Sequence, residues 1–332
     1  MGQTSNIYDV AAAAGVSIAT VSRYLNNNSK VSASTREKLQ KVISDMNYFP
    51  TGNMSPKAKR YLGRIGVLTP FFPSPSFVER IKGIAEVLHG TAYELLIYSV
   101  DSQEQLDEYL HSIPFTKRLD GLIIISLFVD YHSCERLLHS GLETVFIENG
   151  HPQFCSVVAD NLRGGELAAQ HLLEKKLTPC GFICEELPPS YSFQPARIRF
   201  EGFSMGLEAG GHPIRPEHIR YGEYSVESAR TIAKEMLSRS DRPRSIFTYG
   251  DLQAVGVLKA AKDLGLRVPE DLGVIGFDDT EMADYMELTT ISQALKESGR
   301  VAAETLLNRL KEPGRPAQEI QLPVKVVIRS TT

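Results

Sequence analysis

The sequence predicts a core of two doubly wound, parallel-sheet α/β lobes, preceded by a small all-α N-terminal domain. From about residue 64, short β-rich runs alternate with amphipathic stretches, which is typical of parallel sheets covered by helices. More than six strand units follow one another, so two sheets are expected. A length of 332 residues also exceeds one ordinary domain.

The elements of the predicted core follow from hydrophobic periodicity. Buried strands are expected at 65–68, 93–98, 121–125, 144–147, 156–158, 180–183, 245–248 and 273–277. Helices are expected near 76–89, 102–113, 131–140, 162–176, 197–210, 225–240, 252–265 and 294–311.

Residues 7–26 predict two short helices joined by a tight turn. Gly15 permits the turn, and Ser17 suits the N-cap of the second helix because its hydroxyl can accept from the first free amides. The apolar face of the first helix is expected to comprise Val10, Ala13 and Ala14. This pattern is typical of a helix-turn-helix, in which the start of the second helix faces the base edges of DNA.

A third helix is predicted from about residue 34. Residues 34–37 fit a capping box, and 48–50 end the helix at a proline. Its apolar positions are Leu39, Val42, Ile43 and Met46. Helices of this size also occur in domains that bind no DNA, so the three helices alone leave that alternative open.

Charge separates the N-terminal domain from the rest of the chain. Residues 1–60 contain eight Lys or Arg and three acidic residues, a net charge of +5, so the overall −4 leaves −9 for the remainder. A basic head on an acidic body is expected when only the head meets phosphate. Basic solvated faces are the alternative explanation.

Several classes of protein are disfavoured by the sequence. No apolar run is long enough to span a bilayer and no signal peptide is evident, so we expect a cytoplasmic chain without membrane contact. Four cysteines lack zinc-site spacing and are expected to be reduced and mostly buried: Cys134, Cys155, Cys180 and Cys184. We expect no metal and no cofactor.

The N-terminal run resembles the headpiece of LacI/GalR-family transcription regulators, through residues 7–26, 31–36 and 47–50. The core resembles the periplasmic-binding-protein-like core of the same family. The matching core segments are 121–124, Asp160, 164–165, 274–279 and 329–331. The resemblance implies a repressor that binds a near-palindromic, double-stranded operator as a homodimer. Since no heptad tail follows the last predicted strand, a dimer is expected rather than a tetramer.

The resemblance also implies the domain boundaries. We expect a headpiece at 1–50, a hinge at 51–60 and an effector-binding and dimerisation core at 61–332. Because the family's chain crosses between lobes three times, the first lobe is expected at about 61–159 plus 290–319. The second is expected at about 160–289 plus 320–332.

The predicted DNA contacts lie mainly on the second helix. Ile18 and Ala19 offer apolar contacts to thymine methyl groups, whereas Arg23 can donate two hydrogen bonds to guanine. Packing inside the domain is the alternative role for Ile18. The full set of candidates is Tyr8, Ser17, Ile18, Ala19, Thr20, Ser22, Arg23, Asn26, Ser32, Thr35, Met54 and Lys57.

The hinge departs from the family pattern of Ala-Arg followed by a leucine that wedges into the minor groove. Here Met54 and Ser55 replace Ala-Arg, and Lys57 occupies the leucine position. Pro56 would disrupt a helix interior, although a shifted helix could start with Ser55 as N-cap. We therefore predict a weakened or displaced wedge, with Met54 as the nearby apolar substitute.

The effector is expected in the cleft between the lobes, where the carboxyl ends of the strands meet. The candidates are Phe72, Ser126, Glu148, Arg199, Tyr224, Asp251 and Asp278. Arg199 and Asp278 match the family's pocket arginine and the first acid of its Gly-hydrophobic-Asp-Asp motif; a solvent-facing helix position is the alternative for Arg199. Gly250 replaces the usual Asn before Asp251, which weakens the inference about ligand class.

The resemblance favours a sugar or sugar phosphate as the effector, with a nucleoside or nucleobase as second candidate. Whether the effector acts as inducer or corepressor stays open. The other function considered is a solute-binding sensor with the same core, whose DNA binding is weakened by the atypical hinge.

A competing enzymatic signal lies at 202–206, which fit the Gly-x-Ser-x-Gly elbow of hydrolases. An elbow requires a strand before the serine, but residues 197–203 have a helical pattern. A hydrolase also needs an acid and then a histidine downstream, and the last histidine is His218. We therefore expect no enzymatic activity.

Overall fold

The computed structural model describes residues 7–25, 31–46, 62–186, 189–193 and 195–332. These residues form a three-helix headpiece and a core of two six-stranded sheets with helices on both faces, which confirms the predicted fold class. The following predicted features lie outside the described residues: Asn26, the helix stop at 48–50, and the hinge with Met54 and Lys57.

The headpiece consists of α1 (Ile7–Ala14), α2 (Ile18–Leu25) and α3 (Ala33–Asp45). Gly15 takes a left-handed backbone with φ +60°, which ends α1 as expected. The Ser17 hydroxyl accepts from the Thr20 amide at 3.1 Å, which confirms the predicted N-cap of α2. Apolar contacts between the three helices bury Val10, Ala11, Ala14, Val21, Leu39 and Ile43.

Two details of the headpiece differ from the sequence prediction. Ala13 is exposed and Ala11 is buried, because the inward face of α1 follows the 3.6-residue period from Ile7 through Val10 and Ala11. The N-cap of α3 is Ser32 rather than Ser34, since the Ser32 hydroxyl accepts from the Thr35 amide at 3.3 Å.

The first lobe contains one fully parallel sheet in the order β11–β5–β4–β3–β1–β2. Its elements are β1 (Arg64–Pro70), α4 (Pro75–Leu88), β2 (Glu94–Val100), α5 (Gln103–Thr116), β3 (Gly121–Ile125), α6 (Tyr131–Ser140), β4 (Glu143–Ile147), β5 (Cys155–Ala159), α12 (Leu295–Lys311) and β11 (Glu319–Leu322). The central β3 is apolar along its whole length because helices cover both faces of the sheet.

The second lobe contains a sheet in the order β12–β10–β9–β8–β6–β7. Its helices are α7 (Asn161–Glu174), α8 (Pro195–Ala209), α9 (Val226–Leu237), α10 (Asp251–Asp263), α11 (Glu281–Tyr285) and a 3-10 turn, Pro216–His218. Its strands are β6 (Cys180–Glu185), β7 (Ile219–Gly222), β8 (Ser245–Thr248), β9 (Gly273–Asp278), β10 (Thr289–Ser292) and β12 (Lys325–Val327). Five of its strands pair in parallel, as expected for a doubly wound sheet, and the edge strand β12 pairs antiparallel with β10.

The chain crosses between the lobes after β5, β10 and β11, and the expected lobe boundaries shift accordingly. Residues 290–292 belong to the second sheet, since β10 pairs in parallel with β9. Residues 320–322 belong to the first sheet, since β11 pairs with β5. The sequence prediction missed four short strands, namely β7, β10, β11 and β12, which have three or four residues each.

The described residues also bear on the competing predictions. Residues 202–206 lie inside α8, so no strand precedes Ser204, and its hydroxyl donates to Glu208 within the helix. The four cysteines are buried and unbridged. No described helix is both long and apolar enough to cross a bilayer.

Candidate functional site

The start of α2 presents a continuous outer surface. Ser17, Ile18, Ala19 and Arg23 are exposed, and Ile18 keeps 41% of its surface accessible despite its apolar side chain. Packing within the headpiece therefore leaves much of Ile18 uncovered. Val21 on the opposite face is fully buried against the other two helices.

The other described DNA-contact candidates differ in the exposure of their side chains. Thr20 and Ser22 are half-buried, and the Thr20 hydroxyl lies 2.9 Å from that of Ser17. The hydroxyls of Ser32 and Thr35 lie 2.8 Å apart at the start of α3. Tyr8 on α1 is 67% exposed.

A cavity of about 420 Å³ lies between the two lobes, at the carboxyl ends of both sheets. Its wall combines aromatic rings with charged groups from both lobes. The lining residues are Phe71, Ser74, Pro75, Ser76, Phe77, Arg80, Ser126, Glu148, Glu185, Ser192, Phe193, Pro195, Arg199, Tyr224, Tyr249, Leu252, Asp278 and Gln293.

Five of the seven predicted effector residues line this cavity: Ser126, Glu148, Arg199, Tyr224 and Asp278. Phe72 does not, and its neighbour Phe71 lines the wall instead. Phe71 has a left-handed backbone, with φ 53°, which reverses the chain after β1.

Asp251 lies behind the cavity wall rather than in it. Its Oδ2 accepts from the Thr280 amide at 2.8 Å and from the Thr280 hydroxyl at 2.9 Å, and its Oδ1 accepts from Thr290 at 2.6 Å. Burial raises the pKa of Asp251, and the nearby Asp278 carboxylate adds to that rise. Both oxygens thus accept from protein donors, which joins the start of α10 to β10 and to the start of α11.

On the first-lobe side, Arg80 and Glu148 form an ion pair with both side chains almost fully buried. Nη2 of Arg80 donates to Oε1 of Glu148 at 2.5 Å and to the side-chain oxygen Oε1 of Gln293 at 3.3 Å. The second carboxylate oxygen of Glu148, Oε2, accepts from the side-chain nitrogen Nδ2 of Asn161 at 3.3 Å. Asn161 and Gln293 lie where the chain crosses between the lobes.

On the second-lobe side, the same two amides bind Arg199 and Asp278. Nε of Arg199 donates to Asn161 at 2.8 Å, and its Nη1 lies 3.6 Å from Asp278. The Gln293 amide nitrogen donates to Asp278 at 2.5 Å. Six residues therefore form a closed ring of polar contacts at the base of the cleft: Arg80, Glu148, Asn161, Arg199, Asp278 and Gln293.

Arg199 is also held by aromatic rings. Its guanidinium carbon lies 3.6 Å from the Phe277 ring centroid and 4.9 Å from that of Tyr249. Its Nη1 donates to the Tyr249 carbonyl at 2.7 Å. Burial raises the pKa of Asp278, and the Arg199 charge opposes that rise.

Among the charged and amide side chains of the site, sequence reasoning missed four: Arg80, Asn161, Glu185 and Gln293. Glu185 ends β6, two residues beyond the strand predicted at 180–183, so a search just past the predicted strand ends could have found it. Arg80 stands three residues before Gly83, as Arg199 stands before Gly202, and this spacing was a usable signal. Gln293 follows a strand that was not predicted, and the packing of the lobes brings it into the ring.

Among the described residues, no group of three or more His, Cys, Asp or Glu side chains could hold a metal ion. The cavity polar groups instead form donors and acceptors for an organic ligand, with aromatic faces beside them. This arrangement suits a small hydroxylated ring.

Comparisons with known proteins agree with both parts of the chain. Residues 6–51 match the family described as bacterial regulatory proteins, lacI family, and residues 169–332 match the periplasmic binding protein-like domain. The HTH-type transcriptional regulator DegA of Bacillus subtilis (strain 168) is 32% identical over 335 residues, covering 99% of this chain and 98% of that protein.

Two solved structures extend the likeness. A LacI family regulator from Enterococcus faecium with bound ribose has a TM-score of 0.71 and 28% identity, over 81% of this chain and 98% of that one. The lac repressor dimer bound to operator and the anti-inducer ONPF has a TM-score of 0.68 and 27% identity, over 99% of each chain.

The headpiece, the two-lobed core and a relative above 30% identity along nearly the whole chain agree on one assignment. The chain belongs to the LacI family and is a DNA-binding transcription regulator rather than an enzyme.

Proposed function

We propose that the protein is a transcriptional repressor that binds a near-palindromic operator as a homodimer under the control of a small-molecule effector. The effector class we propose is a sugar or sugar phosphate, with a nucleoside or nucleobase as the second candidate. The regulator acts in the cytoplasm, where its operator and effector meet.

The DNA-binding part of the proposal is supported by the exposed start of α2. Ile18 and Ala19 form an apolar surface for thymine methyl groups, and Arg23 one turn later is exposed. The solved lac repressor with 27% identity is a dimer on its operator. Two headpieces related by a two-fold axis would read the two halves of a symmetric site.

The single observation that most supports effector control is the polar ring at the base of the cleft. Because its members come from both lobes, a ligand on Arg199 and Asp278 also acts on Arg80 and Glu148. Such a ligand favours the lobe arrangement it binds more tightly, and only that difference in affinity can alter DNA binding. The ribose held by the related Enterococcus faecium core supports a sugar.

The proposal is tested by selecting genomic fragments on the purified full chain and footprinting the enriched DNA. We expect a protected site of two inverted half-sites and a metabolite-dependent change in affinity. Arg199→Lys should abolish the metabolite response while DNA binding persists. Arg23→Ala should weaken operator binding while the metabolite still raises the melting temperature.

Enrichment of no fragment, combined with a metabolite-induced rise in melting temperature, would favour the alternative of a sensor with weak DNA binding. Operator binding that no sugar, sugar phosphate or nucleobase alters would contradict effector control.

A further inference from the structure

The cavity is unbalanced in charge. Its described lining contains three carboxylates, Glu148, Glu185 and Asp278, and two guanidiniums, Arg80 and Arg199, which gives a formal charge of −1. When these five groups are all ionised, an anionic ligand therefore enters a site that already holds one excess carboxylate. In a cleft shielded from water, this repulsion is stronger than it would be in solvent.

Each guanidinium uses two of its three nitrogens in hydrogen bonds to the protein. Arg80 donates through Nη1 to the Ser76 carbonyl and through Nη2 to Glu148 and Gln293, while its Nε is buried without a hydrogen-bond partner among the described residues. Arg199 uses Nε and Nη1. Of the two guanidinium nitrogens without a partner in the described part of the chain, Nη2 of Arg199 is therefore the one left for a ligand.

The carboxylate oxygens without a protein donor outnumber this one guanidinium nitrogen. Glu185 lies half-buried at the carboxyl end of β6, and its carboxylate makes no hydrogen bond or ion pair with the described residues. Oδ2 of Asp278 is likewise unused within the described part of the chain, since Gln293 and Arg199 both approach Oδ1. The cavity thus offers three carboxylate oxygens to a ligand that donates.

We propose that the cleft selects an unphosphorylated sugar and that Glu185 is the specificity-determining residue, accepting from ligand hydroxyls and excluding phosphate. The proposal rests on the proposed function, because it concerns the effector of the same cleft. A phosphate group near neutral pH is anionic and offers chiefly acceptor oxygens, whereas sugar hydroxyls donate as well as accept. Phe71, Phe77 and Tyr224 add ring faces for the C–H surface of a sugar.

The test is isothermal titration calorimetry on the full chain at pH 8, where Glu185, with a pKa of about 7, is ionised. The probes are ribose with ribose 5-phosphate, and glucose with glucose 6-phosphate. We expect at least one free sugar to bind, and its phosphate to bind at least about tenfold more weakly. Glu185→Gln should weaken binding of the free sugar and reduce the ratio of its affinity to that of the sugar phosphate. Glu185→Lys should make the sugar phosphate the tighter ligand.

Glu186→Gln is the matched control. It makes the same change of charge one residue later, on an exposed side chain outside the cavity lining, and should leave the ratio unchanged. An equal effect of the two Gln variants would overturn the role of Glu185.

Tighter binding of a sugar phosphate by the wild-type chain would overturn this inference and leave the proposed function standing. Binding of neither class, with no sugar altering the operator complex, would overturn both. The two failures are thus distinguished by whether any carbohydrate binds.

Discussion

At the residue scale, side chains are aimed into the cleft by backbone conformations that are unusual for residues other than glycine. Phe71, Ser126, Glu148 and Asp278 have φ values of 53°, 50°, 74° and 115°. Each lies at or just after the carboxyl end of a strand. Such conformations cost on the order of 1–3 kcal/mol each and persist only when surrounding contacts hold them. The buried pair of Arg80 and Glu148 shows one such contact.

Arg23→Ala is expected to weaken operator binding by about 1–3 kcal/mol and to relax specificity at one base pair in each half-site. The reason is the loss of a forked donor from the exposed side chain in the last turn of the recognition helix. Gel-shift titrations against single-base operator variants measure both effects. Lys41→Ala on the exposed side of α3 is the control, and an equal loss on every DNA sequence would instead make Arg23 a phosphate contact.

Glu185→Gln is expected to flatten the pH dependence of stability. Burial raises the pKa of Glu185 to about 7, so the folded state holds this proton more tightly than the unfolded state. Its contribution to the free energy of unfolding is therefore complete below a pH of about 4.5 and is lost as the pH rises to about 7. For this partly exposed group the loss is on the order of 1 kcal/mol.

Melting temperatures from pH 4 to 8 measure this effect as wild type minus variant, with Glu186→Gln as reference. Because other carboxyl groups titrate in both proteins, only the difference is informative. If the melting temperature of the wild type, relative to that of Glu185→Gln, increased with pH, the raised pKa of Glu185 would be contradicted.

At the element scale, the two lobes hold their cavity arginines in the same way. Arg80 on α4 and Arg199 on α8 each precede a glycine by three residues. A methyl group on Gly83 would overlap the Lys296 carbonyl of α12, and one on Gly202 would overlap the Leu162 carbonyl of α7. The close approach of each helix pair therefore sets the position of its arginine.

Gly83→Ala is expected to destabilise the chain by about 1–3 kcal/mol, because the added methyl group meets backbone that cannot move alone. Alanine normally stabilises a helix interior relative to glycine by about 0.5–1 kcal/mol, so a loss isolates the steric clash. Differential scanning fluorimetry measures it. Glu86→Ala, on the same helix, removes an exposed ion pair to Lys296 without adding a clash and should change stability by about 0.5 kcal/mol or less. An unchanged or raised melting temperature for Gly83→Ala would contradict the helix-crossing argument.

At the scale of the whole molecule, the ring at the base of the cleft joins the lobes at two crossovers. Asn161 follows β5 and Gln293 follows β10, and each amide bonds to one residue on either side of the cleft. Closure of the lobes and ligand contact thus involve the same side chains. Such a network couples the lobes as a unit rather than through independent pairs.

Asn161→Ala and Gln293→Ala are expected to lower the melting temperature non-additively, with a coupling of about 0.5–3 kcal/mol, because both remove links of one ring. Melting curves of the two single variants and the double variant measure the coupling. Asn161→Ala combined with Gln103→Ala is the control. Among the described residues the Gln103 side chain bonds only Asp107, on the surface of α5, so the effects of that pair should add. Additive behaviour of the ring pair within about 0.5 kcal/mol would contradict a cooperative ring.

Much of this molecule is determined locally and could therefore be predicted from sequence. Hydrophobic periodicity predicted the three headpiece helices and most core elements, and the glycine turn and Ser17 cap of α2 depend only on neighbouring residues. The short strands β7, β10, β11 and β12 escaped prediction because three or four residues show no reliable period. Their sheet partners decided their structure.

The residues of the cleft likewise fall into those that the sequence could predict and those that it could not. Residues at strand ends, such as Ser126, Glu148 and Asp278, were predictable because parallel strands end at one edge of a sheet. The packing of distant segments decided the rest. It places Asp251 behind the cavity wall and Phe71, rather than Phe72, in that wall. It also brings Arg80, Asn161 and Gln293 into one ring. The sequence by itself determined the helices of the headpiece, the longer elements of the core and the class of regulator. Only the tertiary structure decided which charges neutralise one another, because that depends on distances between residues far apart in the chain.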